Sequence, residues 1–245
     1  MRVLITRSSA DAERTAVAVL RLGHEPVLAP VTTIRREPGA RPSGRFAAVV
    51  ATSHHAFAED DERHGERALP LFAVGGRTAE AARAAGFEDV RIAAGDAESL
   101  ADLLRLTLPR PARLLYLAGR DRKPALAAAL DAAGYRVETI EIYAAEAVER
   151  WPASALDALR SGSMDVALHY SRRSVEIALR LAEQDGLGDA LLLIHHACLS
   201  ADVAEPLRRR RAASIAVAER PDEDALLDLL TNDRVPAPRP ADGSP

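Results

Sequence analysis

Short apolar runs rich in Val, Leu and Ile alternate along the whole chain with longer Ala/Leu/Arg segments of helical period. Strands buried on both faces and separated by amphipathic helices give this pattern, which belongs to βα units around parallel sheets. Strands are expected at 3–6, 26–34, 47–52, 71–74, 90–93, 113–119 and 137–143, and again in VALHY (166–170), LLLIHHACL (191–199) and SIAVA (214–218). A helix is expected over 11–23, closed by Gly23, and another over 123–134 with Pro124 in its first turn. EPGARPSGR (37–45) carries two Pro and two Gly and reads as a linker, and EAVERWPAS (146–154) is a second polar stretch. The Pro-rich segment from about Asp233 reads as a disordered tail.

The pattern occurs twice. FAAVVATSHHAF (46–57) is echoed by MDVALHYSRRSV (164–175), and LFAVGGRTAEAARAAGF (71–87) by ACLSADVAEPLRRR (197–210). VRIAAGDAESLADLL (90–104) is echoed by SIAVAERPDEDALLDLL (214–230). More loosely, VLITRS and GHEPVLAP (3–8, 23–30) match LLYLAGRDR and GYRVETIEIY (114–122, 134–143). Two α/β halves imply a cleft between them. A tandem repeat would fold as 1–104 and 114–230; alternatively the segment after the linker forms its own domain, with crossings at 35–45 and 144–154. The residue pattern leaves both open.

Length and charge narrow the function classes. At 245 residues the chain exceeds the common single-domain size. A net charge of −4 gives no reason to expect a nucleic-acid or membrane partner, and no apolar run approaches the ~18 residues of a membrane span. The N-terminus MRVLITRSS reads as a first strand rather than a secretory signal. The single Cys198 lies in an apolar run and reads as a buried thiol of a reducing compartment, so a cytoplasmic protein is expected.

Candidate chemistry lies in the turns where strands enter helices: TRSSA, TSHHA, VGGRT, AGRDR, YSRRS and LSADV. Helix N-termini there carry free N–H groups and a positive dipole end, which suit an anion. In an open parallel sheet these turns share the carboxyl edge, where ligands bind. Ser8, Ser53, Thr78, Ser171 and Ser200 are equally good N-caps, and capping is the competing reading of each. VGGRTAE lacks the G-x-G-x-x-G spacing and no P-loop occurs. The adjacent pairs His54–His55 and His195–His196 have poor ligand spacing, so no metal is expected. His54 in its turn can meet a ligand, whereas His195–His196 read as packing. Tyr143 ends a strand beside the second crossing, where its hydroxyl can point into the cleft or its ring can simply pack at the domain boundary.

These segments, in this order, resemble the uroporphyrinogen-III synthase family. The likeness is carried by LITRS with Arg7, LGHEPVLAP, the turn at 52–53, AVGGRTAEAARAAGF, GDAESLADLL, LYLAGRDR, IEIY ending at Tyr143, YSRRSV, CLSADVAEPLR and PDEDALLDLL, over roughly 1–230. It implies two flavodoxin-like α/β parallel-sheet domains joined by a two-stranded connector, with domains 1–35 plus 146–230 and 38–142, and a tail at 231–245. It implies dehydration and cyclisation of the linear tetrapyrrole hydroxymethylbilane, with inversion of ring D, to uroporphyrinogen III by a monomeric hydro-lyase that uses no cofactor. It admits a transient hand-over from the enzyme that produces hydroxymethylbilane.

By the same resemblance Tyr143 matches a tyrosine that assists departure of the hydroxyl group. Arg7, Ser53, His54, Gly75, Gly76, Arg77, Thr78, Gly119, Arg120, Asp121, Ser171, Arg172, Ser200, Ala201 and Asp202 fall in substrate-holding loops that act largely through backbone N–H groups. The chain departs from the family at Asp202 and Val203, where hydroxyl residues are common, and at His54–His55 and Arg172–Arg173, where Pro or Asn is common. A non-catalytic two-domain binder of an anionic metabolite is the alternative reading.

Overall fold

The computed structural model describes residues 1–37, 39–40, 42–57, 65–122 and 124–231. Residues 38 and 41 of the expected linker, Lys123 at the start of an expected helix, and the expected tail from residue 232 lie outside them. The chain opens with β1 (Arg2–Ile5), α1 (Ser9–Arg21) and β2 (Glu25–Leu28), then β3 (Thr32–Arg36) and β4 (Ala48–Ala51). A 3-10 turn at His54–Ala56 precedes β5 (Leu71–Ala73), α2 (Gly76–Ala84), β6 (Val90–Ile92) and α3 (Ala97–Thr107). β7 (Arg113–Gly119), α4 (Ala125–Ala132) and the long β8 (Arg136–Ala147) follow. The last third holds α5 (Ala153–Arg160), β9 (Val166–His169), α6 (Arg172–Gln184) and α7 (Gly188–Leu193). It ends with β10 (His195–Cys198), α8 (Ala201–Arg209), β11 (Ser214–Val217) and α9 (Glu223–Leu227).

Two compact units result, one from residues 1–33 and 146 onward, the other from 34–145. The first holds a sheet of order β11-β10-β9-β1-β2, and the second strand set is ordered β3-β8-β7-β4-β5-β6. The ladders that join β1, β2, β9, β10 and β11, and those that join β4 to β8, are parallel. Counted along the chain, the first sheet runs 2-1-3-4-5, an order that reverses between β1 and β9. The sequence echoes pair β9, β10, β11, β1 and β2 with β4, β5, β6, β7 and β8. Substituting those partners turns the first sheet order into β6-β5-β4-β7-β8, which is the order observed. The two copies are therefore the same sheet entered at different points of the chain.

Strand alternation sorts the core. In β1, Leu4 faces one cluster with the helices α5 to α8, while Val3 and Ile5 face another with α1 and α9. In β4, Ala48 and Val50 face α3 and α4, while Val49 and Ala51 face Ala56, Ala79 and Ala82. Both sides of each sheet are covered, which is why these strands are nearly continuous apolar runs.

Three expectations need correction. Residues 26–34 are two strands, because β2 pairs with β1 while β3 joins the other sheet; Pro30, lacking an N–H, stands at the break. The first three residues of LLLIHHACL end helix α7, and only His195–Cys198 is strand; periodicity alone cannot separate a buried helix from a strand in so short an apolar run. The expected polar crossing after 144 begins inside a strand, since β8 continues to Ala147. Glu37 N–H bonds the Ile142 carbonyl and Val148 N–H bonds that of Val31, so β3 and β8 run antiparallel and the chain passes between units within them.

A buried polar chain crosses the first sheet. Thr6 Oγ1 lies 2.8 Å from the Leu168 carbonyl and 3.1 Å from His169 Nδ1; His169 Nε2 lies 3.0 Å from His196 Nδ1, and His196 Nε2 3.1 Å from the Leu191 carbonyl. A carbonyl only accepts, so His196 carries its proton on Nε2 and accepts at Nδ1 from His169. Burial holds both imidazoles neutral, pushing His169 well below its usual range and His196 down to about 4. An unfolded chain takes up protons below about pH 6.5 that these sites refuse, so stability is full above that pH and falls toward pH 4. Thermal unfolding between pH 7 and 5 is expected to show a falling midpoint. His196→Gln is expected to cost roughly 1–3 kcal/mol at pH 7 and to flatten that dependence, and an unchanged slope would remove the pair as its source.

Candidate functional site

Open α/β sheets bind ligands outside the carboxyl ends of the strands where the strand order reverses. In the second unit that point lies between β4 and β7, followed respectively by Thr52–Ser53 and by Gly119–Arg120. Thr52 Oγ1 and the Tyr116 hydroxyl meet at 2.9 Å across it. Ser53 caps the 3-10 turn by accepting from His55 N–H at 3.2 Å.

Tyr143 reaches this point from β8, one strand further out. The β7–β8 register runs evenly from Arg113↔Arg136 to Ala118↔Glu141, then jumps to Gly119↔Tyr143. Ile142 is the extra residue of a β-bulge. Without it, alternation would send Tyr143 to the face opposite Ile142; with it, both pack against the cluster that holds Ala56 and Phe57. The ring then lies on β7: a Cβ at Gly119 would stand 2.6 Å from Tyr143 Cζ and 2.9 Å from its hydroxyl. Only a residue without a side chain lets the phenol cross β7 toward β4. The His55 ring sits 5.7 Å away, centroid to centroid.

Burial raises the Tyr143 phenol above its usual range. Opposing this, the Ser53 hydroxyl, the Arg36 guanidinium and the Gly119 backbone favour the ionised form, whereas Tyr116 works with burial. The result is a neutral, half-buried phenol with hydrogen-bonding and cationic support, a group able to donate a proton to a departing oxygen.

The other candidate residues divide by unit. Gly75 and Gly76 open α2 with no side-chain cap, and a Cβ at either would meet nothing within 4 Å, so this turn offers open backbone N–H groups. Thr78 is buried in the first turn behind them. Arg77 donates to His54 Nε2 at 2.7 Å, which places the His54 proton on Nδ1. Arg120 reaches Glu37 at 3.3 Å, and Asp121 is exposed beside it. These residues, with Ser53, Gly119 and Tyr143, share the carboxyl edge of one sheet.

In the first unit, Ser171 and Ser200 are both working N-caps, accepting from Ser174 N–H at 3.0 Å and Val203 N–H at 3.4 Å. Asp202 pairs with Arg172 at 3.3 Å, and Ala201 opens α8 between Ser200 and Asp202. The Arg7 charge is engaged locally. It lies 2.7 Å from Glu223 and 3.7 Å from Asp11, and its guanidinium stacks 3.8 Å over the Tyr170 ring. Tyr170 and Thr15 donate to the same Glu223 oxygen at 3.0 and 2.8 Å. The reversal point of this sheet is thus filled by its own side chains.

Sequence reasoning did not single out Arg36 or Tyr116, and it took Thr52 only as part of the TSHHA turn. Arg36 ends β3 and Tyr116 stands midway along the apolar run of β7, and the tertiary pairing that joins them has no sequence period. Among the described residues, no helix is long and apolar enough to cross a membrane.

Gly119→Ala is expected to push the Tyr143 ring off β7 while leaving the sheet intact. A crystal structure of the variant with the phenol still beside Ser53 would refute the close-approach requirement.

A family model described as uroporphyrinogen-III synthase HemD matches residues 13–228. A mutant uroporphyrinogen III synthase from Thermus thermophilus is similar in fold, with a TM-score of 0.55 at 20% identity over 94% of this chain and 97% of that one. Uroporphyrinogen-III synthetase from Helicobacter pylori gives a TM-score of 0.65 at 13% identity, over 94% and 99%. No curated protein matches the chain by sequence. Neither the family model nor these structures favour a non-catalytic binder.

Proposed function

Because the chain belongs to the uroporphyrinogen-III synthase family, we propose that it is a hydro-lyase converting hydroxymethylbilane to uroporphyrinogen III with inversion of ring D. The two units are read as flavodoxin-like domains, the second inserted into the first through the β3–β8 strand pair. The observation that carries the mechanism is the Tyr143 phenol, laid over Gly119 at the strand-order reversal with Ser53 and Arg36 in support.

The substrate must lose hydroxide from its hydroxymethyl carbon, a poor leaving group unless protonated as it departs. Tyr143 donates that proton, the C–O bond breaks and water leaves. The electron-rich pyrrole stabilises the resulting cation, which is attacked by ring D at its substituted carbon to give a spiro intermediate. The original bond between that carbon and its bridging methylene then breaks, regenerating a pyrrole-stabilised cation at the methylene; ring D turns over, its free α-carbon bonds to the methylene and releases its proton, and return of that proton to the tyrosinate leaves one water lost overall. The phenol gains from being held neutral by burial, since only the protonated form donates.

The eight carboxylates of the substrate call for many donors of modest individual strength. The open N–H groups of the Gly75–Gly76 turn, with Arg77, Thr78, Arg120 and the turns at Ser171–Arg172 and Ser200–Asp202, serve that purpose. Backbone donors hold carboxylates without fixing side-chain identity, which accommodates His54 and Arg172 where other residues are common. Substrate arrives from the enzyme that makes hydroxymethylbilane, a short-lived compound for which rapid hand-over is an advantage.

Supplied with hydroxymethylbilane, the purified protein is expected to shift product from isomer I to isomer III by chromatography; isomer I alone would overturn the reading. Tyr143→Phe is expected to lower kcat by roughly a hundredfold with an unchanged thermal midpoint. Full activity in that variant would remove Tyr143 from the proton transfer.

A further inference from the structure

Arg36 is the last residue of β3 and, by sequence, belongs to no recognisable motif. In the structure its guanidinium turns toward the 3-10 segment, with Nη1 2.7 Å from the His55 carbonyl and Nη2 2.5 Å from that of Phe57. Those two carbonyls close the turn that begins at Ser53, the residue whose hydroxyl faces the Tyr143 phenol. The same guanidinium interacts with the phenol through space. A planar fork spanning two carbonyls fixes both turn and charge, and a lysine can reproduce only the charge.

We propose that Arg36 is a positioning residue for Tyr143, pinning the Ser53–Phe57 turn against the phenol and holding a fixed positive charge beside it. This rests on the reading of Tyr143 as the proton donor in hydroxymethylbilane dehydration. As the proton leaves, the tyrosinate develops next to a cation that neither moves nor needs resolvation, so the charge is worth more in the transition state than in the ground state.

Among the described residues, the groups set against the phenol include His55 from the 3-10 turn, Tyr116 from β7 and Arg36 from β3, with the neutral Ser53 hydroxyl and the Gly119 backbone. Among the described residues, Arg36 alone of these carries a permanent charge. Partial burial holds the Arg36 guanidinium below its usual range, yet it remains a cation throughout the pH range in which enzymes work. Its charge favours tyrosinate, so removing it makes the phenol harder to ionise and moves the alkaline limb of kcat to higher pH.

The test compares wild type, Arg36→Met, Arg36→Lys and Tyr143→Phe in the isomer-III assay, with full pH profiles and thermal midpoints. Arg36→Met is expected to lower kcat roughly tenfold with KM changed by less than about twofold, and to displace the alkaline limb upward by about half a pH unit or more. Arg36→Lys is expected to hold the alkaline limb near its wild-type position while recovering only part of kcat. A turn that merely needed bracing would lower the thermal midpoint and leave the limb where it was, and that outcome overturns the proposal. So does an Arg36→Met enzyme with wild-type kcat and limb. Absence of isomer III from wild type, or full activity of Tyr143→Phe, instead defeats the function on which the proposal rests.

Discussion

A single close approach shapes the candidate site: the Tyr143 ring lies so near Gly119 that a Cβ there would stand 2.6 Å from it. The phenol starts on β8, two strands from Ser53, and must pass over β7 to reach the strand-order reversal. Two local features make that passage feasible. The bulge at Ile142 turns the side chain to the correct face, and the missing side chain at Gly119 clears the path. Neither helps alone. Without the bulge the ring would alternate to the face of the Tyr116 cluster, and without the glycine it would meet β7 at well under van der Waals distance.

The two units share a strand order, yet their reversal points have diverged. In the first, Arg7 is flanked by Glu223, Asp11 and the Tyr170 ring, and burial together with Glu223 pushes the Tyr170 phenol up to about 12. That phenol donates to a carboxylate and is a poor acid. In the second, the phenol faces Ser53 and a cation, and its partners favour ionisation against burial. Similar ingredients, a tyrosine and an arginine at a strand-order reversal, therefore give a structural lock in one copy and the proposed proton donor in the other. Burial raises both phenols and an arginine opposes that rise in each; the difference is the Glu223 carboxylate, which adds to the rise at Tyr170. The carboxylate that makes Tyr170 inert comes from α9, and the described residues place no carboxylate against the Tyr143 phenol.

Much of the fold is legible in the sequence because burial on both faces writes strands as unbroken apolar runs. AAVVAT and RLLYLAG became β4 and β7 for that reason, and the repeat itself predicts the common strand order. What escaped had tertiary causes. LLLIHHACL hides a helix end, since Leu191 packs from α7 much as a strand residue would. The polar look of EAVERWPAS conceals the last residues of β8, because a strand that leaves the covered part of a sheet no longer needs apolar side chains on both faces. Site legibility was uneven for similar reasons. Gly119 and Tyr143 stood in recognisable segments, but nothing in their spacing announces a ring lying on a glycine. Arg36 lies more than a hundred residues from Tyr143, and only the β3–β8 pairing explains how they come to share a site.

That pairing also explains how one unit can be inserted in the other. β3 and β8 run antiparallel, so the inserted segment leaves and re-enters at adjacent points, and closing it costs little beyond the pairing itself. The same two strands carry Arg36 and Tyr143. Placing the proposed donor and its cation on hydrogen-bonded neighbours ties their separation to a strand ladder rather than to loop conformation, a more rigid support for the proposed proton transfer, which must be aligned within a few tenths of an ångström. The ladder thus serves connectivity and chemistry at once. A substitution that loosens the β3–β8 pair should therefore disturb the donor geometry even when both side chains are intact, which distinguishes this arrangement from one in which the tyrosine alone carries the reaction.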